Sequence, residues 1–245
     1  MENQIFMILS IIVSAVIWLR YIRKEDKYEP EPLMTVLRVG LTGGFISTMI
    51  AGFLNVEAAN FLQVDIGNTQ NMSSMPAGIL STFIGFNEEF NKAIATIFLV
   101  RNLKDLNEPV DAIVYSTAVG LGFAFIENFS YSMQYGFINL VMRSVTAMPL
   151  HIGLAALWGY KIADAKFVKN TGLFREMFPM IITASLIHAL YDYLIFTINN
   201  PLVSLSISLV TGVILVKFIK RKLIELAEKS PFKPQNYVKK EVEFL

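Results

Sequence analysis

Seven apolar runs separated by polar stretches set the pattern of this chain, at approximately residues 4–22, 33–55, 76–100, 109–134, 138–161, 177–198 and 201–220. Each is near the roughly 20 residues that a helix needs to cross about 30 Å of hydrocarbon. The pattern predicts an all-α, polytopic transmembrane helix bundle of about seven spans. The first run has no basic region before it and no small-x-small cleavage site, and its charges Arg20, Arg23, Lys24 and Lys27 come at or after its end. It therefore reads as a retained helix rather than a signal peptide.

Basic residues orient the runs. With the N-terminus outside, the connections 23–31, 101–108 and 162–176 and the C-terminal tail fall on the inner face, together with nearly every Lys and Arg. The opposite connections, 56–75, the turn near Tyr135-Gly136 and Asn199-Asn200-Pro201, contain neither. The expected division is a membrane domain over 1–222 and a cytoplasmic, partly disordered tail over 223–245. Connection 56–75 is too long for a tight turn and is expected to form a lid or a short interfacial helix. Within it, Asn71-Met72-Ser73 has the pattern of a glycosylation acceptor, irrelevant in a bacterial or archaeal chain. Gly40 and Gly44, four apart, would let the second helix pack closely against a neighbour.

Composition agrees with a multi-span protein: 54% of residues are hydrophobic, 17% are charged and the mean hydropathy is +0.51, too apolar for an ordinary soluble domain. The net charge of +1 gives no reason to expect nucleic acid as a partner. The absence of cysteine excludes disulfides, thiolate metal sites and a cysteine nucleophile.

The chemistry lies in the polar residues inside the runs. An ionised side chain at the centre of a bilayer costs roughly 2.5 to 3.5 kcal/mol on insertion scales, so each needs a partner, water or a function. The third run holds Glu88, Glu89 and Lys92; Glu88 and Lys92 share a helical face, and Glu89 points about 100° away. An internal salt bridge would account for two of the three charges, not for the second carboxylate. The fourth run holds Glu127 and Asn128, and Glu127 has no basic neighbour one turn away. The fifth holds Arg143 and His151, with Pro149 expected to kink the helix. In the sixth, His188 and Asp192 lie one turn apart, so the carboxylate can fix the imidazole tautomer.

A single buried histidine is most often a hydrogen-bonded structural residue. Here both histidines of the chain fall within runs. At about 1.5 Å per residue, Glu88, His151 and His188 lie some 15 to 18 Å from the inner face, with Glu127 about one turn further out. Acids and histidines at one depth fit a water-activating site better than a permeation path. Two schemes stay open. In one, Glu127, His151 and His188 hold a divalent metal such as zinc, and Glu88 or Glu89 is the base. In the other no metal is needed, a glutamate deprotonates water and the histidines stabilise the oxyanion. A proton-coupled transporter is the competing class.

The same residues resemble a known family. The stretch Asp26-Lys27-Tyr28-Glu29-Pro30-Glu31-Pro32, the Glu88-Glu89 to Lys92 motif and Asn107-Glu108-Pro109-Val110-Asp111 come first in this likeness. Phe123 to Asn128, Pro149-x-His151 with Trp158-Gly159-Tyr160, and His188 to Asp192 follow, in the order and on the runs of the PrsW intramembrane proteases. These are distant relatives of type II CAAX prenyl endopeptidases, from whose pattern the chain departs at Lys92, Glu127 and Asp192. The resemblance implies site-1-type cleavage of a single-pass membrane protein, such as an anti-sigma factor, in a bacterial or archaeal cytoplasmic membrane. It implies Glu88, Glu89, Glu127, His151 and His188 as catalytic residues, supported by Lys92, Asn128, Arg143 and Asp192. A catalytically silent binding member of the family is the alternative within it.

Overall fold

The computed structural model describes residues 2–67, 69 and 72–234, with side chains from residue 5 onward. Asn71 of the acceptor tripeptide and the tail beyond Pro234 lie outside the described residues. The described chain forms seven α-helices and no strand: α1 (Glu2–Arg23), α2 (Leu33–Phe61), α3 (Ser74–Val100), α4 (Asp111–Val145), α5 (Ala147–Ala163), α6 (Leu173–Thr197) and α7 (Pro201–Ala227). A π-helical turn, Asp164–Lys169, extends α5 and ends at Asn170, whose left-handed φ of 49° stops it.

Five stretches are long and apolar enough to cross a membrane: Ile5–Arg23, Leu33–Phe61, Asp111–Lys169, Leu173–Thr197 and Pro201–Ala227. The third contains two of the expected runs, and α3, with its three charges, is not among the five. The periphery is apolar outward, as lipid contact requires. In α1, Ile11 and Ile22 are buried while Ile5, Phe6, Leu9, Val13 and Ile17 are exposed. In α7, Leu202, Val210, Val213 and Ile214 are exposed likewise.

The first half of α4 is the axis of the bundle. Every residue from Asp111 to Ala124 is buried, as expected of a helix apolar on all sides. It packs against α2 on one side and α5 on another, while α3 packs against α6 and α2. The α2–α4 approach is close because Gly40 and Gly44 face Gly122: a Cβ on Gly44 would overlap the Gly122 backbone, and one on Gly122 would overlap the Gly40 carbonyl. The expected role of the two α2 glycines is therefore the observed one.

Three local expectations differ. Helix α2 runs on to Phe61, so the following connection is shorter than expected. It contains no interfacial helix among its described residues, and Met72 N–H donates to the Phe196 carbonyl to tie it to the end of α6. The expected fifth run is broken at Thr146 (φ −118°, ψ −68°). Pro149 therefore lies in the first turn of a new helix, where a missing N–H costs no hydrogen bond, instead of kinking a continuous one. The turn near Tyr135-Gly136 is present as a single residue, Gly136, at φ 82°. There the chain folds back, so that Arg143 returns beside Glu127.

Gly44→Ala should lower stability by about 1 to 3 kcal/mol, because the new methyl meets main chain that cannot rotate away. Gly52→Ala, with nothing within 4 Å of the added carbon, should be neutral or slightly stabilising. Thermal unfolding in detergent micelles compares the two.

Candidate functional site

Four helices deliver polar side chains to one place in the bundle. Glu88, Glu89 and Lys92 come from α3, Glu127 and Asn128 from α4, His151 and Trp158 from α5, and His188 and Asp192 from α6. Arg143 reaches them from beyond the Gly136 bend. Glu89 and Lys92 are wholly buried, and Glu88, His151 and His188 are 4%, 2% and 3% exposed. On one side the centre is more open, where the side chains of Glu127, Arg143 and Asp192 are 19%, 17% and 15% exposed.

Hydrogen bonds divide the acids into two kinds. Glu89 is saturated: its Oε1 accepts from Lys92 Nζ at 2.5 Å and lies 3.0 Å from His188 Nδ1, and its Oε2 accepts from Trp158 Nε1 at 3.1 Å. Glu127 Oε2 accepts from Arg143 Nη2 at 2.6 Å and lies 2.8 Å from His151 Nε2. Arg143 is held in turn by Asn128 Oδ1 at 2.8 Å and lies over the Tyr131 ring. Two cations thus neutralise two carboxylates, a pairing that low dielectric demands.

Glu88 is different. Its Oε1 accepts from Asn55 Nδ2 at 3.0 Å, whereas its buried Oε2 has no hydrogen-bond partner among the described residues. His188 Nε2, the ring nitrogen not directed at Glu89, lies 3.8 Å from Glu88 Oε2 and 3.6 Å from Asp192 Oδ2; in the neutral Nδ1–H tautomer it carries a lone pair. These separations are too long for hydrogen bonds and leave room for a small bridging species. The His151 and His188 rings meet edge to face with centroids 5.3 Å apart.

The side chains that converge as a metal-type cluster are Glu88, His151 and His188, whose ligand atoms all lie within 4.8 Å of one another. Glu127, expected in that trio, is engaged by Arg143 and His151 instead. The cluster is a two-histidine, one-carboxylate set of the kind that binds catalytic zinc. Its fit rests on the unpartnered Glu88 oxygen and on the His188 Nδ1 contact to Glu89, since a carboxylate commonly orients the outer nitrogen of a metal-bound imidazole. Both nitrogens of His151 are occupied, one by Glu127 and the other by Lys92 Nζ at 3.2 Å, so metal binding there requires one contact to open.

Two contributors were not assigned a site role from sequence. Asn55 was hidden at the end of an apolar run, and Trp158 was visible only as part of a motif without a role.

A family model described as PrsW family intramembrane metalloprotease matches residues 31–219. The chain belongs to the PrsW family. Proteins named Protease PrsW from Clostridioides difficile (strain 630) and Geobacillus kaustophilus (strain HTA426) are each 29% identical over 192 residues. These alignments cover 76% and 75% of this chain and 78% and 77% of the relatives. Protease PrsW from Bacillus subtilis (strain 168) is 25% identical over 189 residues, 77% of this chain and 82% of that protein. No solved structure matches the chain. This PrsW-family chain is a multi-pass membrane protein and a peptidase by family.

Removing Lys92 alone, as Lys92→Met, should cost about 3 to 5 kcal/mol by leaving Glu89 as an unpaired buried charge. Combining it with Glu89→Gln should recover much of that loss. Denaturant or thermal melts of the single and double variants measure the coupling.

Proposed function

We propose that this protein is a membrane-embedded endopeptidase that hydrolyses a peptide bond of a single-pass membrane protein, of the anti-sigma-factor kind, with Glu88 as the proton acceptor for water. The observation that carries the reading is the buried Glu88 Oε2, without a hydrogen-bond partner in a centre where Glu89 and Glu127 are each tied to a cation. Family membership supports the reaction class.

In this reading a water molecule lies between Glu88 Oε2 and His188 Nε2. Glu88 takes a proton from it as the oxygen bonds to the scissile carbonyl carbon. The proton then passes from the Glu88 carboxyl to the amine nitrogen as the C–N bond breaks, giving a carboxylic acid and an amine, which become carboxylate and ammonium once the acid's proton moves to the amine. Glu89, through His188 Nδ1, holds the imidazole in the tautomer that presents its lone pair to the centre. The Arg143–Glu127 pair positions His151 and lies on the more open side, where an unwound segment of a substrate helix would enter. In the alternative, metal-dependent form, Glu88, His151 and His188 would instead hold a divalent metal such as zinc, which would supply Lewis-acid polarisation and lower the pKa of bound water.

The same proposal carries the finer topology: seven spans in the cytoplasmic membrane of a bacterium, the N-terminus outside, a membrane domain over 1–222 and a cytoplasmic tail over 223–245. The distribution of Lys and Arg supports it.

Co-expression with a tagged single-pass substrate tests the chemistry. Glu88→Gln and His188→Ala should each reduce cleavage by about 100-fold or more while the protein still folds. Unchanged cleavage removes either residue from the reaction, and ion flux in proteoliposomes without proteolysis favours the transporter class instead. Loss of cleavage on chelation, restored by zinc, identifies the metal-dependent form. Because the chain has no cysteine, single cysteines at Asp65 and Lys169 give a clean topology assay. A membrane-impermeant maleimide applied to intact cells should label the first and spare the second.

A further inference from the structure

A second group of buried acids lies away from this centre, where the α1–α2 and α3–α4 connections meet the start of α4. Asp26, Glu108 and Asp111 place carboxylate oxygens within 4.8 Å of one another, and Glu31 adjoins Asp111. Asp26 is 3% exposed and the other three are wholly buried. Two of the sequence motifs that the peptidase reading leaves without a role, Asp26 to Pro32 and Asn107 to Asp111, are brought together here.

The bonds within the cluster point its remaining oxygens at each other. Asp26 Oδ2 accepts the Glu31 N–H at 2.8 Å, and Asp111 Oδ2 accepts the N–H groups of Asn107 and Glu108 at 2.8 and 2.7 Å. Glu31 Oε2 accepts from the Tyr115 hydroxyl. The second oxygens, Asp26 Oδ1, Glu31 Oε1 and Asp111 Oδ1, are buried and receive no N–H or hydroxyl hydrogen bond among the described residues. The Ser230 hydroxyl is a hydrogen-bonding neighbour of Glu108, and the Asp26 carboxyl is another.

The two local cations hydrogen-bond to main-chain carbonyls, while the charge of Arg23 still reaches Asp26 and that of Lys166 still reaches Asp111. Arg23 Nη2 donates to the Glu31 main-chain carbonyl at 2.7 Å, and Lys166 Nζ donates to the Leu106 carbonyl at 2.6 Å. Four buried acids thus face two cations among the described residues. Acids facing one another in this way share either protons or a cation.

We propose that Asp26, Glu108 and Asp111, with Glu31 beside them, form a binding site for a divalent cation of the calcium class that fastens the two connections to the start of α4. The donors are all hard oxygens, which disfavours the softer metal ions as occupants. Several protein carboxylates in one buried cage suit Ca²⁺ better than Mg²⁺, which keeps most of its water and takes one or two carboxylates. The site is independent of Glu88 and of the peptidase reading.

The experiment uses the full chain in detergent micelles, stripped with chelator and then titrated with Ca²⁺ alone. Saturating Ca²⁺ should raise the melting temperature by about 5 to 10 °C. Tb³⁺ should bind with emission sensitised by Tyr115 and be displaced by Ca²⁺. Glu108→Gln should weaken both responses at least tenfold; it is the chosen variant because no main-chain N–H depends on its side chain, in contrast to Asp26 and Asp111. Glu88→Gln should leave both responses intact, so a failed peptidase assay and a failed calcium assay are told apart. A wild-type protein indifferent to Ca²⁺, or a Glu108→Gln variant with an undiminished response, overturns the proposal. So does a Glu108→Gln variant that is more stable than an unresponsive wild type, the mark of shared protons. An equal or stronger response to Mg²⁺ at the same concentration overturns the calcium assignment.

Discussion

The arrangement of the bundle depends on one constraint: an ionised group inside a low-dielectric core must meet an opposite charge or be surrounded by donors. Lys92 meets Glu89 one turn away on its own helix, and Arg143 meets Glu127 across a bend. Each pair also recruits a histidine, His188 through Glu89 and His151 through Glu127. The neutralised pairs therefore fix the positions of both imidazoles and bring α3, α4, α5 and α6 into register. Glu88 is the exception, and an exception is informative because the surrounding groups are so fully matched.

That register needs helices at unusually short range. Gly40, Gly44 and Gly122 bring α2 and α4 together, and α2 also carries Asn55, the single donor to Glu88. The same helix thus sets a packing distance and orients Glu88. Its outward face, by contrast, is apolar and exposed at Phe45, Met49 and Phe53, in keeping with a lipid boundary.

Much of this was legible in the amino-acid pattern. Helical class followed from run length, and the gathering of Glu88, Glu127, His151 and His188 followed from their common depth, since depth along a helix is simple arithmetic. The reversal at Gly136 was visible because only a residue without Cβ adopts its positive φ at low cost. The break at Thr146 was hidden inside a continuous apolar run, and Pro149 was misplaced because proline marks a kink and a first turn equally well. Partners were the least legible feature. Period and depth do not say which helices are neighbours, so Asn55, Trp158 and the meeting of Asp26 with Glu108 and Asp111 required the fold.

The reversal at Gly136 also bears on how the chain enters the bilayer. Glu127 and its cation Arg143 are 16 residues apart, on opposite arms of the turn. During synthesis the acid emerges first, and its counter-ion follows only after the bend has been made. The two arms are therefore favoured to leave the translocation machinery together as a helical hairpin, with each charge carried into the hydrocarbon by the other.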